Sequence, residues 1–389
     1  MDRFPELDDA LQDLSETLDR RLVVVDDSLR VVAYSIHESP EDRARLFHLL
    51  THSDSWPTPA TATAPYSVEA VSGLSPTAFV RLLDPQKHII GHLLVPVSDA
   101  AGEPAAPDAV LAAADRISEL FAARRSETTE RMARSHELTR DLVADEEPTR
   151  AAAAEALLAE RRLSSSPHYC AVALGVDPRS ATRLDHEKAS QAVARTLRFV
   201  RETSTATVVG GTLDDHTGVL VFPRPVVVDR LARILGSPQV TPVRAGVGPL
   251  TALADVHRSF AQARLAWRAS WLAPADHDVV ADWESVGLDG TLARLPVEDF
   301  TAADLPPAVR DLLGAVDSPA LLSTLETYLD AGGDAQRTAR LLHIHRSTLY
   351  YRLDKLRAII DGDLSDGVVR RELHTGLRIA RLAGLLPGQ

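Results

Sequence analysis

Cysteine, methionine and lysine are nearly missing from this chain of 389 residues, and aromatic residues make up only 5% of it. The one cysteine, Cys170, excludes an intramolecular disulfide and any cysteine-rich zinc or iron–sulfur site. With so few aromatics and two methionines, the cores have to be built from Leu, Val, Ile and Ala. No apolar run approaches the roughly 20 residues that a membrane helix needs. The opening Met-Asp-Arg-Phe-Pro-Glu is polar and acidic, unlike the positively charged start of a secretory signal. A cytoplasmic protein is expected, with no metal and no cofactor.

The residues that are present have the balance of a folded protein, 45% hydrophobic and 25% charged. The length predicts more than one domain. The net charge of -13 argues against blanket binding of nucleic acid. That charge is unevenly spread. Residues 318–389 hold 10 basic against 8 acidic residues, and the rest of the chain 32 against 47. Within 335–357 the count is 6 to 1. A small basic island on an acidic body suggests one local anionic partner.

The fold class expected is multidomain, α/β plus all-α. Residues 1–106 read as a small α/β unit. Leu7, Leu11, Leu14 and Leu18 recur at helical spacing, and two β-rich runs follow around the Asp26-Asp27-Ser28 turn. Two more strands, 78–83 and 89–97, flank a second turn, and the Pro/Thr/Ala-rich stretch 56–65 reads as a surface loop. This layout resembles the GAF/PAS class of sensor domain. Five of the 14 histidines fall here: His37, His48, His52, His88 and His92. His48 and His52 could share a metal from one helix face, but no third ligand stands at a fitting spacing.

Residues 107–165 are rich in Ala, Glu and Arg and read as a helical connector and dimerisation segment, interrupted at Pro148. Val110, Ala114, Ile117, Phe121, Leu138 and Leu142 recur at steps of three and four. Residues 124–129 break the stripe, and no sustained heptad seam is present.

Residues 166–285 alternate strands and helices, which implies a sheet with helices packed on it. Strands are expected at 169–176, 205–209, 218–222 and 243–247, and helices at 186–201, 226–235 and 254–269. The string Val209-Gly-Gly-Thr-Leu-Asp-Asp215 resembles the Gly-Gly-Asp-Glu-Phe turn of diguanylate cyclases in a degenerate, GGDEF-like form. Cyclase chemistry needs two carboxylates for Mg²⁺. Asp177 could stand for the first, but Thr212 and Leu213 occupy the positions after the glycines, and neither ligates a metal. Asp214 and Asp215 come after them, and a shift of even one residue in a tight hairpin sends a side chain elsewhere. The paired glycines are expected to supply positive φ for a bend, and no enzyme activity is expected.

A linker over 286–317 leads to the strongest signal, a DNA-binding helix-turn-helix domain over 318–389. An amphipathic helix at 321–329 stops at Asp330-Ala-Gly-Gly333. Asp334 can cap the next helix, 335–342, and a break at 343–345 precedes a third from 346 to about 360. Ala339, Leu342, Ile344, Leu349, Leu353 and Leu356 are expected to form the core. Outside it, Arg346 could reach a guanine edge or phosphate, and Ser347 and Thr348 offer hydroxyls at a helix N-terminus. Tyr351, Arg352 and Lys355 follow along the groove. His345, at the end of the break, is counted with the DNA-binding residues, and Gln336, Arg337 and Thr338 suit the crossing phosphates. Of Tyr350 and Tyr351, one is expected to pack and the other to face DNA. The string from Thr338 to Leu356 resembles the C-terminal helix-turn-helix of the PucR/CdaR family of bacterial transcriptional regulators.

That resemblance implies a sensor domain, a degenerate cyclase-like domain and a helix-turn-helix in one regulator. The expected partners are double-stranded promoter DNA, a second copy of the chain in a homodimer or higher oligomer, and a small-molecule effector. The alternatives are a nucleotide-binding cyclase-like protein with weak or lost activity, or a partner-binding scaffold.

Overall fold

Strands that are apolar on both faces need cover on both sides, and the sequence supplies two sets of them. The computed structural model describes residues 5–27, 29–35, 65–69, 77–97, 106–177, 179, 186–204, 207–214, 217–237, 242–315, 319–360 and 362–386. They fall into two compact units, residues 1–133 and 134–389. None of the described helices is long and apolar enough to cross a membrane.

In the first unit, α1 (Pro5–Leu18) precedes β1 (Val23–Asp26), β2 (Val31–Tyr34), β3 (Tyr66–Glu69), β4 (Thr77–Leu83) and β5 (Ile89–Pro96). The sheet is antiparallel, in the order β2-β1-β5-β4-β3. Both expected hairpins form, and β3 is a strand that the sequence pattern does not announce. Leu7, Leu11, Leu14 and Leu18 of α1 pack against Val24, Val80, Leu82, Leu93 and Val95. Each such side chain contributes roughly 1.5–3 kcal/mol by burial. The other face carries Val23, Val25, Phe79 and Leu94 as a separate cluster. His37, His48, His52 and most of the 56–65 loop lie outside the described residues.

The connector is α2 (Pro107–Leu142) followed by α3 (Glu147–Ala159), with Pro148 in the first turn of α3, where its missing N–H costs nothing. The break in the apolar stripe at 124–129 does not end α2, which runs through it with residues 125–129 exposed. Val110, Ala114, Ile117 and Phe121 belong to the first core. Leu138 and Leu142 belong to a core of the second unit.

The second unit is built on β6 (Cys170–Gly175), β7 (Val209–Thr212), β8 (Thr217–Phe222), β9 (Arg244–Val247) and β10 (Val280–Asp282), in the order β10-β9-β6-β8-β7. Only β9 and β10 run parallel. One face is covered by α4 (His186–Thr203) and α5 (Val228–Leu235), through Val193, Leu197, Val200, Leu231 and Leu235. The other is covered by α3 and α6 (Val256–Leu272), through Leu157, Phe260, Ala263 and Trp267. The strand expected at 205–209 begins instead at Val209, so the paired glycines are strand residues.

The stretch expected as a linker is folded. It contains α7 (Leu288–Leu292) and α8 (Pro307–Ala315). Val286, Leu292, Ala293 and Val297 pack with Ala269 and Leu272 of α6. Leu305, Val309 and Leu312 enter the core made by α9 (Pro319–Asp330), α10 (Ala335–Leu341), α11 (Arg346–Ile360) and α12 (Gly367–Leu382).

Candidate nucleic-acid interface

The turn between α9 and α10 needs backbone that only glycine adopts cheaply, and Gly332 and Gly333 supply it at φ +69° and +86°. Gly333 N–H donates to the Tyr328 carbonyl at 2.9 Å, closing α9. Asp334 then accepts from the amides of Gln336 at 2.9 Å and Arg337 at 3.0 Å. The Arg337 amide foremost, with that of Gln336 and the charges of Arg340 and Arg337, holds the Asp334 carboxyl below the usual carboxylate range.

α10 ends in a tight turn at His343, which takes φ +52°, and Ile344 N–H returns to the Ala339 carbonyl at 3.0 Å. His345 caps α11. Its carbonyl accepts from the amides of Thr348 and Leu349, and its Nδ1 accepts from the Ser347 amide at 3.3 Å. Nδ1 also lies 2.8 Å from the Ser347 hydroxyl. With Nδ1 an acceptor, the neutral ring carries its proton on Nε2, which is left to donate outward.

Leu349, Leu353, Leu356 and Ile360 turn one face of α11 inward. At about 100° per residue, the opposite direction belongs to Ser347 and Tyr351, with Thr348 and Lys355 beside them. Arg346, Ser347, Thr348 and Lys355 are exposed, as are Gln336 and Arg337. Lys355 Nζ lies 5.9 Å from the Tyr351 ring centroid, a cation–π contact one turn apart on the helix.

Four expectations need correction. Thr338 is fully buried and its hydroxyl donates to the Asp334 carbonyl at 2.7 Å, so it braces the start of α10 and presents nothing to a phosphate. Neither tyrosine packs: Tyr350 is 51% and Tyr351 65% exposed, because the inward direction is filled by leucines. Leu342 is only half-buried, since α10 ends before it. Arg352 is half-buried, and its guanidinium donates to Thr324 Oγ1 of α9 at 3.0 Å, so part of it is spent on the bundle. A choice by residue type passes over Asp354, which the helical angle turns toward the same side. Asp354 pairs with Arg357 at 2.7 Å.

The cyclase-like positions are arranged differently. The Asp177 carboxylate is taken by Arg179, with both nitrogen–oxygen distances 3.2 Å. Asp214 accepts from the Thr217 amide and hydroxyl, each at 2.7 Å. The expected reason for the paired glycines is wrong. Neither Gly210 nor Gly211 has positive φ among the described residues. They are needed for close approach: a Cβ on Gly211 would stand 3.0 Å from the His136 carbonyl oxygen and 3.3 Å from its Cα, where α2 crosses β7. No group of three or more His, Cys, Asp or Glu that could hold a metal occurs among the described residues.

Residues 321–379 match the PucR C-terminal helix-turn-helix domain, and residues 145–269 match the GGDEF-like domain. The purine catabolism regulatory protein of Bacillus subtilis (strain 168) is 35% identical over 66 residues, which is 17% of this chain and 12% of that protein. The match therefore spans about an eighth of the relative's length. The crystal structure of a regulator of polyketide synthase expression from Bifidobacterium adolescentis is 17% identical, covering 64% of this chain and 98% of that one, at a TM-score of 0.29.

Proposed function

We propose that the chain, in which a region matching the PucR C-terminal helix-turn-helix domain follows one matching the GGDEF-like domain, is a transcriptional regulator of the PucR kind that binds double-stranded promoter DNA as a homodimer or higher oligomer. One observation carries this reading: the first turn of α11 stands free with Arg346, Ser347 and Thr348 exposed, on a closed aliphatic core. That turn enters the major groove, Arg346 reads a base edge or clamps phosphate, and Tyr351 and Lys355 run along the backbone. Gln336, Arg337 and the outward Nε2 of His345 meet the flanking phosphates. A single helix-turn-helix makes too few base contacts to stand out in a genome, so two copies on paired half-sites are required. Its DNA target puts the protein in the cytoplasm.

Residues 1–106 act as a GAF/PAS-like sensor for a small effector, and the connector over 107–165 passes its state to the DNA-binding domain. The middle domain serves as scaffold and carries no catalysis. Asp177 and Asp214 are already engaged locally, and the ledge above Gly211 is filled by the His136 backbone. Mg²⁺ with GTP is expected to leave the melting temperature unchanged, and a rise of several degrees would restore the nucleotide reading.

The test of DNA binding is titration of a promoter fragment at two salt concentrations. Arg346→Ala is expected to cost about 1–3 kcal/mol of specific binding, and Lys355→Ala to reduce the salt slope by about 1. Unchanged affinity and salt slope in both variants, with the fold intact, overturn the reading.

A further inference from the structure

The last helix of the bundle, α12, buries Leu373, Leu377 and Ala380, and another of its faces carries Arg370, Arg371, His374 and Thr375, paired at steps of one turn. Asp366 caps it, accepting from the amides of Val368 at 2.6 Å and Val369 at 3.4 Å. Those four side chains, with Leu329 of α9 and Gly332 of the turn after it, line a cleft of about 360 Å³. Arg371 and His374 are exposed, and Arg370 and Thr375 are half-buried, so the cleft opens to solvent.

The cleft is joined to the start of α10. Arg370 Nη1 donates to the Gly332 carbonyl at 2.9 Å. A Cβ on Gly333 would strike the same nitrogen, so this glycine leaves room for the guanidinium to lie against the turn. Gln336 and Arg337, proposed above to meet phosphates, stand four and five residues beyond Gly332. Four residues of chain span at most about 14 Å, the length of about four base-pair steps of duplex at 3.4 Å each. Carboxylates near the cleft are engaged by their own neighbours. Asp330 accepts from His374 Nε2 at 2.9 Å, and Asp363 from the Ser365 amide at 2.8 Å.

We propose that this cleft holds a phosphate of the DNA backbone, outside the stretch read by α11, with the Arg371 guanidinium as its contact and Arg370 as the brace that fixes the cleft to the α9–α10 turn. A planar guanidinium matches two phosphate oxygens in parallel hydrogen bonds. A free phosphate is poorly held there, since an exposed ion pair in an open cleft is worth little by itself. The same contact counts once α11 holds the duplex, because the phosphate then arrives tethered and its counterion is released. The proposal rests on the DNA-binding reading above and widens its footprint.

The experiment uses the full chain, a promoter fragment and an unrelated duplex, titrated between about 50 and 200 mM salt. Arg371→Ala is expected to reduce the salt slope by about 1 and to weaken both duplexes by the same factor, roughly threefold to tenfold, because a phosphate contact is blind to sequence. Arg371→Lys, which keeps the charge, is expected to recover most of the slope. Arg233→Ala removes an exposed arginine of α5, outside the bundle, and is expected to change neither slope nor affinity. Urea unfolding reports whether each variant is folded, and Arg371→Gln repeats the measure if the alanine chain is not. An unchanged slope in the folded Arg371 variants, a loss confined to the promoter, or an equal fall in Arg233→Ala overturns the proposal. Millimolar inorganic phosphate is expected to leave the melting temperature of the natural chain unchanged. A rise that Arg371→Ala abolishes, with the DNA slope unaltered, would make the cleft a site for a free anion and overturn the DNA assignment. If Lys355→Ala lowers the slope and Arg371→Ala does not, this site fails and the DNA-binding reading stands; if neither does, the reading fails as well.

Discussion

Thr338 lies in the first turn of α10 directly after the exposed Gln336 and Arg337, yet its hydroxyl is turned back to the Asp334 carbonyl in a site closed to water. A neutral hydrogen bond of this kind is worth about 1 kcal/mol, and a valine of nearly the same shape removes it. Thr338→Val is expected to lower stability by about that amount, by urea unfolding, and to leave promoter affinity within about twofold. A large loss of affinity with an intact fold would return Thr338 to the interface. Cys170 makes the same point about burial. Its thiol donates to the Gly248 carbonyl at 3.1 Å, and burial pushes its pKa up to about 12. The thiolate is the reactive form, so native protein at pH 8 is expected to resist a disulfide reagent until it is unfolded. Rapid modification of the folded chain would contradict the closed packing around β6.

At the scale of elements, close approach of backbones decides what glycine is for. A Cβ on Gly246 in β9 would stand 2.0 Å from the Ala263 carbonyl oxygen and 2.3 Å from the Trp267 nitrogen of α6. Neither backbone can yield without moving the helix off the sheet. Gly246→Ala is expected to cost about 3 kcal/mol or more, read as a fall in denaturation midpoint. A neutral substitution would mean that α6 does not rest on β9 as described. The same geometry explains what the sequence concealed. α9 to α11 were legible because their signals are local: the Gly332-Gly333 stop, the Asp334 cap and the leucine stripe lie within a few residues of what they determine. Gly210 and Gly211 looked like turn residues because nothing nearby in sequence names His136 as the neighbour. The stretch read as a linker, 286–317, shows no local signal of the strength seen at 330–334. Its order comes from Val297, Val309 and Leu312 meeting partners remote in the chain. At the interface, residue type located the basic face, but only the helix rotation separated exposed Tyr350 and Tyr351 from buried Thr338.

Across the second unit as a whole, α12 ties the DNA-binding bundle to the segment after α6. Asp289, 5% exposed, accepts from His277 Nε2 at 2.8 Å and from Arg378 Nε at 2.7 Å, while a second Arg378 nitrogen bonds its other oxygen. Arg378 also reaches Asp276 at 2.6 Å, and Arg381 pairs with Glu326. Burial alone raises the Asp289 carboxyl, but the Arg378 and His277 hydrogen bonds and charges outweigh it and hold the pKa at about 2. Removing the guanidinium leaves a buried charge uncompensated, so Arg378→Ala is expected to cost about 3–5 kcal/mol. The pH dependence has a definite sign. A carboxyl depressed in the folded state stabilises it fully above its unfolded value of about 3.9, and loses that contribution as pH falls toward its folded value. The window is thus about pH 4 down to pH 2, and the contribution is roughly 2 kcal/mol. Asp289→Asn cannot titrate there. The stability gap between the natural chain and Asp289→Asn, from urea unfolding across this range, is expected to narrow by roughly 2 kcal/mol on acidification. A gap that stays constant from pH 5 to pH 2 would show that Asp289 is not held ionised by Arg378 and His277 in the folded chain.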